Sequence, residues 1–267
     1  MILPSADLTP VALAFAAAVA YAVPALAASR LRPSVIRGIA LTAWLLHGLT
    51  LAWAMLGGEA RFGFAPALSV TAWLVAAVYA VESHVYPKLQ TRWTLSALGA
   101  AAVLLALAFP GHLLHANASL WLPLHWALGI ASYGLFGVAV AHGWFMTRAE
   151  ERIRLAADPD SGMPLLTLER LTFRFVTAGF VLLSATLLVA LVFGEQLYGP
   201  QAARKWDHKT VFSLLSWLTF AILLIGRARF GWRGRVAVRV LYAGSGLLLL
   251  GYVGSRFVME VVLGRTL

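Results

Sequence analysis

The chain has 267 residues, of which 61% are hydrophobic and 12% charged, and its mean hydropathy is +0.81. A soluble domain is only about half apolar, so this composition is that of an integral membrane protein. There is no cysteine, which excludes disulfides, thiolate metal sites and thiol nucleophiles. The formal net charge of +10 lies in short segments beside apolar runs, where it sets membrane orientation rather than nucleic-acid binding.

A membrane-crossing helix needs about 20 mostly apolar residues. Runs of that kind are predicted, in chain order, near 7–28, 38–57, 66–86, 93–110, 122–146, 173–194, 208–226 and 240–262. The fourth is short, and the eighth carries charges near its end. Ala, Leu and Gly dominate without the period-two alternation of a membrane barrel, so the expected fold is all-α: a polytopic bundle of about eight transmembrane helices forming a single domain over residues 1–267. The motif "ALAA" at 25–28 resembles a signal-peptide cleavage site. The preceding "MILPSADLTP" has no Lys or Arg and the apolar run is long, so the first segment is read as a span.

Orientation follows from the cations. Of 21 Lys and Arg, 15 fall after spans one, three, five and seven: Arg30, Arg32, Arg37, Lys88, Arg92, Arg148, Arg152, Arg154, Arg170, Arg174, Arg227, Arg229, Arg233, Arg235 and Arg239. The positive-inside rule makes these segments cytoplasmic and turns both termini outward.

Seven histidines carry most of the chemistry the sequence offers. His47, in "AWLLHGLTLAW", is nine residues into the second span. At a rise of about 1.5 Å per residue this is roughly 13 Å deep, where an imidazole either marks a functional site facing the bundle interior or makes an interhelical hydrogen bond. His125, in "LPLHWALGIASYGLF", begins the fifth span. Helical spacing from it selects Gly129, Ser132, Tyr133 and Phe136, a face that either packs on another helix or lines a flat apolar ligand. His84 and His142 are read as snorkelling residues near the cytoplasmic interface. His112 and His115, at i, i+3 in a loop, have no acidic or Cys neighbours that would build a metal site. There is no phosphate loop, dinucleotide fingerprint, nucleophile elbow or internal repeat, so hydrolytic, nucleotide-driven and repeat-built transporter functions have no support.

The segment "ARKWDHKTVFSLLSW" (203–217) sets Trp206, Asp207 and His208 at the outer start of the seventh span. Two readings stand. Asp207 caps the helix while Trp206 sits in the interfacial aromatic belt, or the three form part of a ligand site.

The succession "LLHGLTLAW", "LHWALGIASYGLF", "KWDHKTVFSLLSWLTFAILLIGR" and "GWRGRVAVRVLYAGSGLLLLGYVGS" resembles the cytochrome c assembly protein family. These are haem-handling membrane proteins that include CcsA, CcmC and CcmF, and the resemblance is greatest to the shorter HemX/YpjD-like branch. It implies haem presented on the outer face beneath a Trp-rich loop whose place "KWDHK" occupies. It also implies that His125 corresponds to the outer histidine before that loop, and His47 to the first intramembrane histidine. The chain departs from the pattern in "FGEQLYGPQAAR", which lacks the further Trp residues. It departs again at Ile225, where a second intramembrane histidine is expected, and in "VMEVVLGR", which has no histidine. A complete synthase with two bis-histidine haem sites is therefore not expected.

The resemblance implies a haem-binding or haem-handling protein of the bacterial inner (cytoplasmic) membrane that assists cytochrome c assembly without turnover of its own. Haem is the expected cofactor. His125 and His208, with His47 at a buried second site, are the candidate iron ligands, and Trp206 and Asp207 complete the haem-facing set. Arg204, Lys205 and Lys209 pair either with haem propionates or with lipid headgroups. Expected partners are cytochrome c maturation proteins or, on the regulatory alternative, a haem-synthesis enzyme bound at "TRAEERIRLAADPDSGMPLLTLER". The lipid bilayer surrounds the chain, and no nucleic acid is expected. The charge asymmetry predicts cytoplasmic signals from reporter fusions after Arg37, Lys88, Asp158 and Arg235, and exterior signals after Arg61, Ala116 and Gln201. A cytoplasmic signal at Gln201 would remove the outward role of residues 206–209.

Overall fold

A computed structural model describes residues 8–27, 30–56, 61–85, 93–113, 121–155, 164–198 and 207–263. They form helices α1 (Thr9–Ala27), α2 (Pro33–Leu56), α3 (Phe64–Val85), α4 (Trp93–Ala108), α5 (Trp121–Arg154), α6 (Leu165–Tyr198), α7 (His208–Phe230) and α8 (Gly234–Leu249). The last helix runs on through a π-helical segment (Leu250–Gly254), a short α turn, α9 (Ser255–Phe257), and a second π-helical segment (Val258–Val262). Two short strands, β1 (Arg61–Phe62) and β2 (His112–Leu113), pair antiparallel.

Seven of these helices are long and apolar enough to cross a membrane. The fourth predicted span is the exception. With 16 residues α4 reaches about 24 Å, short of a hydrocarbon core of about 30 Å. By contrast α5 and α6, at 34 residues each, reach about 51 Å and outrun it. Hydropathy registered only their apolar parts: α5 continues through Arg148, Arg152 and Arg154, and α6 begins at Leu165, well before the apolar run. Backbone hydrogen bonding carries a helix beyond the lipid wherever helix-forming polar residues allow it.

The chain forms two compact units, one built by α1–α4 and the β1–β2 ribbon, the other by α5 onward. In the first, α1 packs on α2 and α4 through small residues. Ala14, Ala17, Ala43 and Val103 surround Tyr21, whose ring lies so close to Gly99 of α4 that a Cβ there would meet it at 2.9 Å. Small side chains let helix backbones approach where lipid supplies no hydrophobic drive between helices. Between α2 and α3, Trp44 and Trp73 stack with centroids 4.8 Å apart, and each indole N–H donates to the other residue's carbonyl, at 3.1 and 3.0 Å.

The second unit is organised by one aromatic pair. Phe136 of α5 and Phe220 of α7 stack at 3.8 Å, within 4° of parallel. Gly179 of α6 lies behind the first ring and Gly244 of α8 behind the second, so a Cβ would meet a ring at 3.1 and 2.9 Å respectively. Four helices thus meet at one stack. At one end of the unit Glu169 of α6 accepts from Arg227 (2.7 Å) and Arg233 (3.3 Å), and the Arg227 guanidinium lies 3.6 Å from the centre of the Phe173 ring. Removing the space behind the stack is expected to be costly. Gly244→Val should destabilise the protein by about 2 kcal/mol through overpacking, measured by denaturant unfolding in detergent, whereas Gly246→Val, where a Cβ meets nothing within 4 Å, should cost much less.

Candidate functional site

The end of the second unit at which α5 and α7 begin carries the histidines of interest. Side-chain contacts fix the helix directions. His125 and Trp121 of α5 meet Thr186 and Phe193 of α6, while Trp217 and Arg227 of α7 meet Ser184 and Glu169 of α6. Helices α5 and α7 are therefore both antiparallel to α6 and parallel to each other, so His125 and His208 lie at the same end.

His125 is half buried, and its Nδ1 is 3.2 Å from the Thr186 carbonyl oxygen. A carbonyl only accepts, so Nδ1 carries the proton and in the neutral ring Nε2 holds the lone pair. This is the tautomer in which a histidine ligates through Nε2 while a backbone carbonyl fixes the ring from behind. Gly129, one turn on, faces the same residue of α6, where a Cβ would meet the Thr186 methyl at an ordinary contact distance of 3.7 Å. The rest of the stripe packs on helices. Ser132 donates to the Gly129 carbonyl at 2.8 Å, Tyr133 donates to the Leu248 carbonyl of α8, and Phe136 enters the central stack. Of the two alternatives for this face, packing holds below His125.

Asp207 caps α7. Its Oδ1 accepts from the Thr210 N–H at 2.9 Å and from the Thr210 hydroxyl at 2.8 Å. His208 opens the helix and is exposed, and Trp206 lies outside the described residues. The capped-start reading thus holds for Asp207, and it leaves the His208 ring accessible at the same end as His125. Ile225, at the position where the family pattern has a second intramembrane histidine, is 56% exposed on α7.

His47 belongs to the first unit and is fully enclosed. Its Nε2 is 2.8 Å from Ser69 Oγ of α3, and its Nδ1 is 3.3 Å from the Tyr21 hydroxyl of α1. One imidazole thereby ties three helices together. Both partners escaped the sequence reading because Tyr21 and Ser69 lie 26 and 22 residues from His47 and share no local pattern with it.

His142 requires a correction. Its place in the apolar run predicts a snorkelling side chain, yet it is buried at 2% exposure, with Nδ1 donating to the Val138 carbonyl at 2.9 Å and its ring against Phe145 and Phe175. The cause is the extra length of α5, which puts His142 twelve residues from the helix end instead of near it. The His84 side chain and His115 lie outside the described residues.

A profile of the family described as Cytochrome C assembly protein matches residues 33–263. The chain belongs to the cytochrome c assembly family. It is 29% identical over 154 residues to the inner membrane protein YpjD of Escherichia coli K12, covering 57% of each chain. It is 30% identical over 227 residues, 80% of this chain and 82% of the other, to a 28.8 kDa protein encoded in the nifR3-like 5' region of Azospirillum brasilense. It is 24% identical over 227 residues, 80% of this chain and 68% of the other, to the cytochrome c biogenesis protein CcsA of Prochlorococcus marinus subsp. pastoris. The match therefore spans little more than half the length of YpjD. No solved structure matches the chain. Family and helices together make it a multi-pass inner membrane protein.

The His47 hub generates a stability prediction. Tyr21→Phe and His47→Ala should be coupled by about 1 kcal/mol in a double-mutant cycle read by unfolding in bicelles, the scale of interhelical hydrogen bonds in membranes. Strict additivity would show that the bond contributes nothing.

Proposed function

We propose that this protein holds haem as cargo within the membrane during cytochrome c assembly, with His125 supplying an axial ligand and no turnover of its own. The observation that carries the reading is the Nδ1 contact to the Thr186 carbonyl, because it fixes the orientation of the ring and the tautomer in which a histidine ligates through Nε2. His125 would hold the haem through a neutral imidazole nitrogen on its iron, and the bound haem would supply the redox-active iron that a cytochrome needs. Family membership and a CcsA relative named for cytochrome c biogenesis point the same way.

His208 is the proposed second ligand, being exposed at the same end and oriented by a capped helix start. Trp206 stacks on the cargo, Asp207 fixes the start of α7, and Arg204, Lys205 and Lys209 pair with its carboxylates. His47 serves a separate, buried position, which requires one of its two hydrogen bonds to be exchanged for the metal. The proposed orientation places the α5 and α7 starts outside, both termini outside, and cytochrome c maturation proteins as the recipients.

A second reading, a regulator that binds a cytoplasmic partner such as a haem-synthesis enzyme, draws on one feature. Helices α5 and α6 outrun the bilayer at the end bearing Arg148, Arg152, Arg154 and Arg170, which gives a partner a raised basic surface.

The haem reading is tested by absorption spectroscopy of protein purified with haem. A six-coordinate Soret band should become five-coordinate or disappear in His125→Ala and in His208→Ala, while Lys205→Ala should cost less. A spectrum that responds to His125→Ala alone would assign the second ligand elsewhere, and one that responds to neither would remove His125 from the site.

A further inference from the structure

The last helix changes its winding just where it meets the first turn of α7. Gly251 lies against that turn so closely that a Cβ on it would be 3.3 Å from Ser213 Oγ, 3.4 Å from Phe212 Cβ and 3.6 Å from the Lys209 carbonyl oxygen. The winding from Leu250 to Gly254 is π-helical, and the Ser255 N–H donates to the Leu250 carbonyl five residues back. In an α-helix the residue five beyond Gly251 would be turned well away from α7. A π turn closes its bonds over five residues and brings that residue back to nearly the same face. The residue is Arg256.

Arg256 is half buried, and its Nε is buried without an acceptor among the described residues. Its charge acts on Lys209, which is also half buried on the first turn of α7. Two cations are thus brought to one helix start, Lys209 on its first turn and Arg256 just beyond the π-wound segment whose Gly251 lies against that turn. The only described acid acting on Lys209 is Asp207, whose Oδ1 is occupied by the Thr210 N–H and hydroxyl and which forms no ion pair with either cation among the described residues. Unpaired like charges at a partly buried place are unfavourable unless an anion joins them. The N-terminal N–H groups of a 23-residue helix add positive potential at the same point.

We infer that Lys209 and Arg256 form a two-cation clamp for a single oxyanion group, a carboxylate or a phosphate, at the start of α7, and that the π turn after α8 is what brings Arg256 into it. A guanidinium with its fork of N–H donors suits two oxygens of one anion, and the ammonium of Lys209 supplies a second point of charge. Two sources offer this chemistry in a membrane: the carboxylate arms of an amphipathic cargo and the phosphate of a lipid headgroup. The clamp does not depend on His125 ligating a metal, since phosphate and lipid engage it without iron.

Three probes separate the sources, each applied to the full-length wild type and to Lys209→Gln, Arg256→Gln and Arg256→Lys. Inorganic phosphate, compared with chloride at equal ionic strength, should raise the unfolding temperature of the wild type, and the two Gln variants should lose that shift. If the source is the cargo's carboxylates, haemin should bind the wild type about tenfold more tightly than it binds either Gln variant, the scale for removing a charged hydrogen bond. Haemin dimethyl ester should then bind all forms equally. If the source is lipid, phosphatidylglycerol nanodiscs should retain more lipid on the wild type than on the Gln variants, phosphatidylcholine nanodiscs should show no difference, and haemin should not discriminate. Arg256→Lys should keep part of each effect and reports that the fold is intact. Unchanged phosphate, haemin and phosphatidylglycerol responses in both Gln variants would overturn the inference.

Discussion

The stack of Phe136 on Phe220 between Gly179 and Gly244 is the contact on which the second unit depends. It joins α5, α6, α7 and α8 at one level, and each glycine admits a ring where any side chain would push its helix outward. In lipid no hydrophobic force drives helices together, so close fit and dispersion must do so, and flat rings against bare backbone maximise both. The same interfaces continue toward the end bearing His125. Between α5 and α6, His125 reaches the Thr186 carbonyl, and between α7 and the last helix Ser216 donates to the Gly244 carbonyl at 2.8 Å and Gly251 lies on the first turn of α7.

Polar groups in this chain obey the bilayer's demand for internal partners. Most hydroxyls bond back to their own helix: Thr71, Thr147, Thr172, Thr177, Ser184, Thr186 and Thr219 each donate to the carbonyl four residues earlier. A smaller set crosses between helices, and those crossings specify the arrangement. They include the Tyr21–His47–Ser69 hub, the reciprocal Trp44–Trp73 pair, the Trp217 N–H to Ser184 and the Tyr133 hydroxyl to the Leu248 carbonyl. Ser184 shows how the two sets combine, donating along its own helix while accepting from the next.

The two ends of the second unit are built differently. At the end with Glu169, cations are paired: Arg227 and Arg233 share one carboxylate, and Arg235 reaches Glu150 at 3.7 Å. At the end with His125 and His208, neither Lys209 nor Arg256 forms an ion pair with a carboxylate among the described residues. The paired end holds α6 to α7 and to the segment after it through one carboxylate.

Composition and run length alone determined that the chain is an all-α, multi-pass membrane protein. The reason is that a bilayer tolerates only apolar helices of a set length, and both properties are local. The Asp207 cap was legible for the same reason, since Thr210 lies only three residues away. The resemblance carried by "LHWALGIASYGLF" and "KWDHK" agreed with the family match. Long-range partners were not legible. No pattern within α2 reveals that His47 meets both Tyr21 and Ser69, and hydropathy placed His142 at an interface because it cannot see a helix continuing through charged residues. The tautomer of His125 depends on a carbonyl 61 residues away, and the close approach of Gly251 to the first turn of α7 depends on helix packing that no composition encodes. These features follow from which helices pack at which height, and tertiary packing decided that through a pair of rings and two glycines.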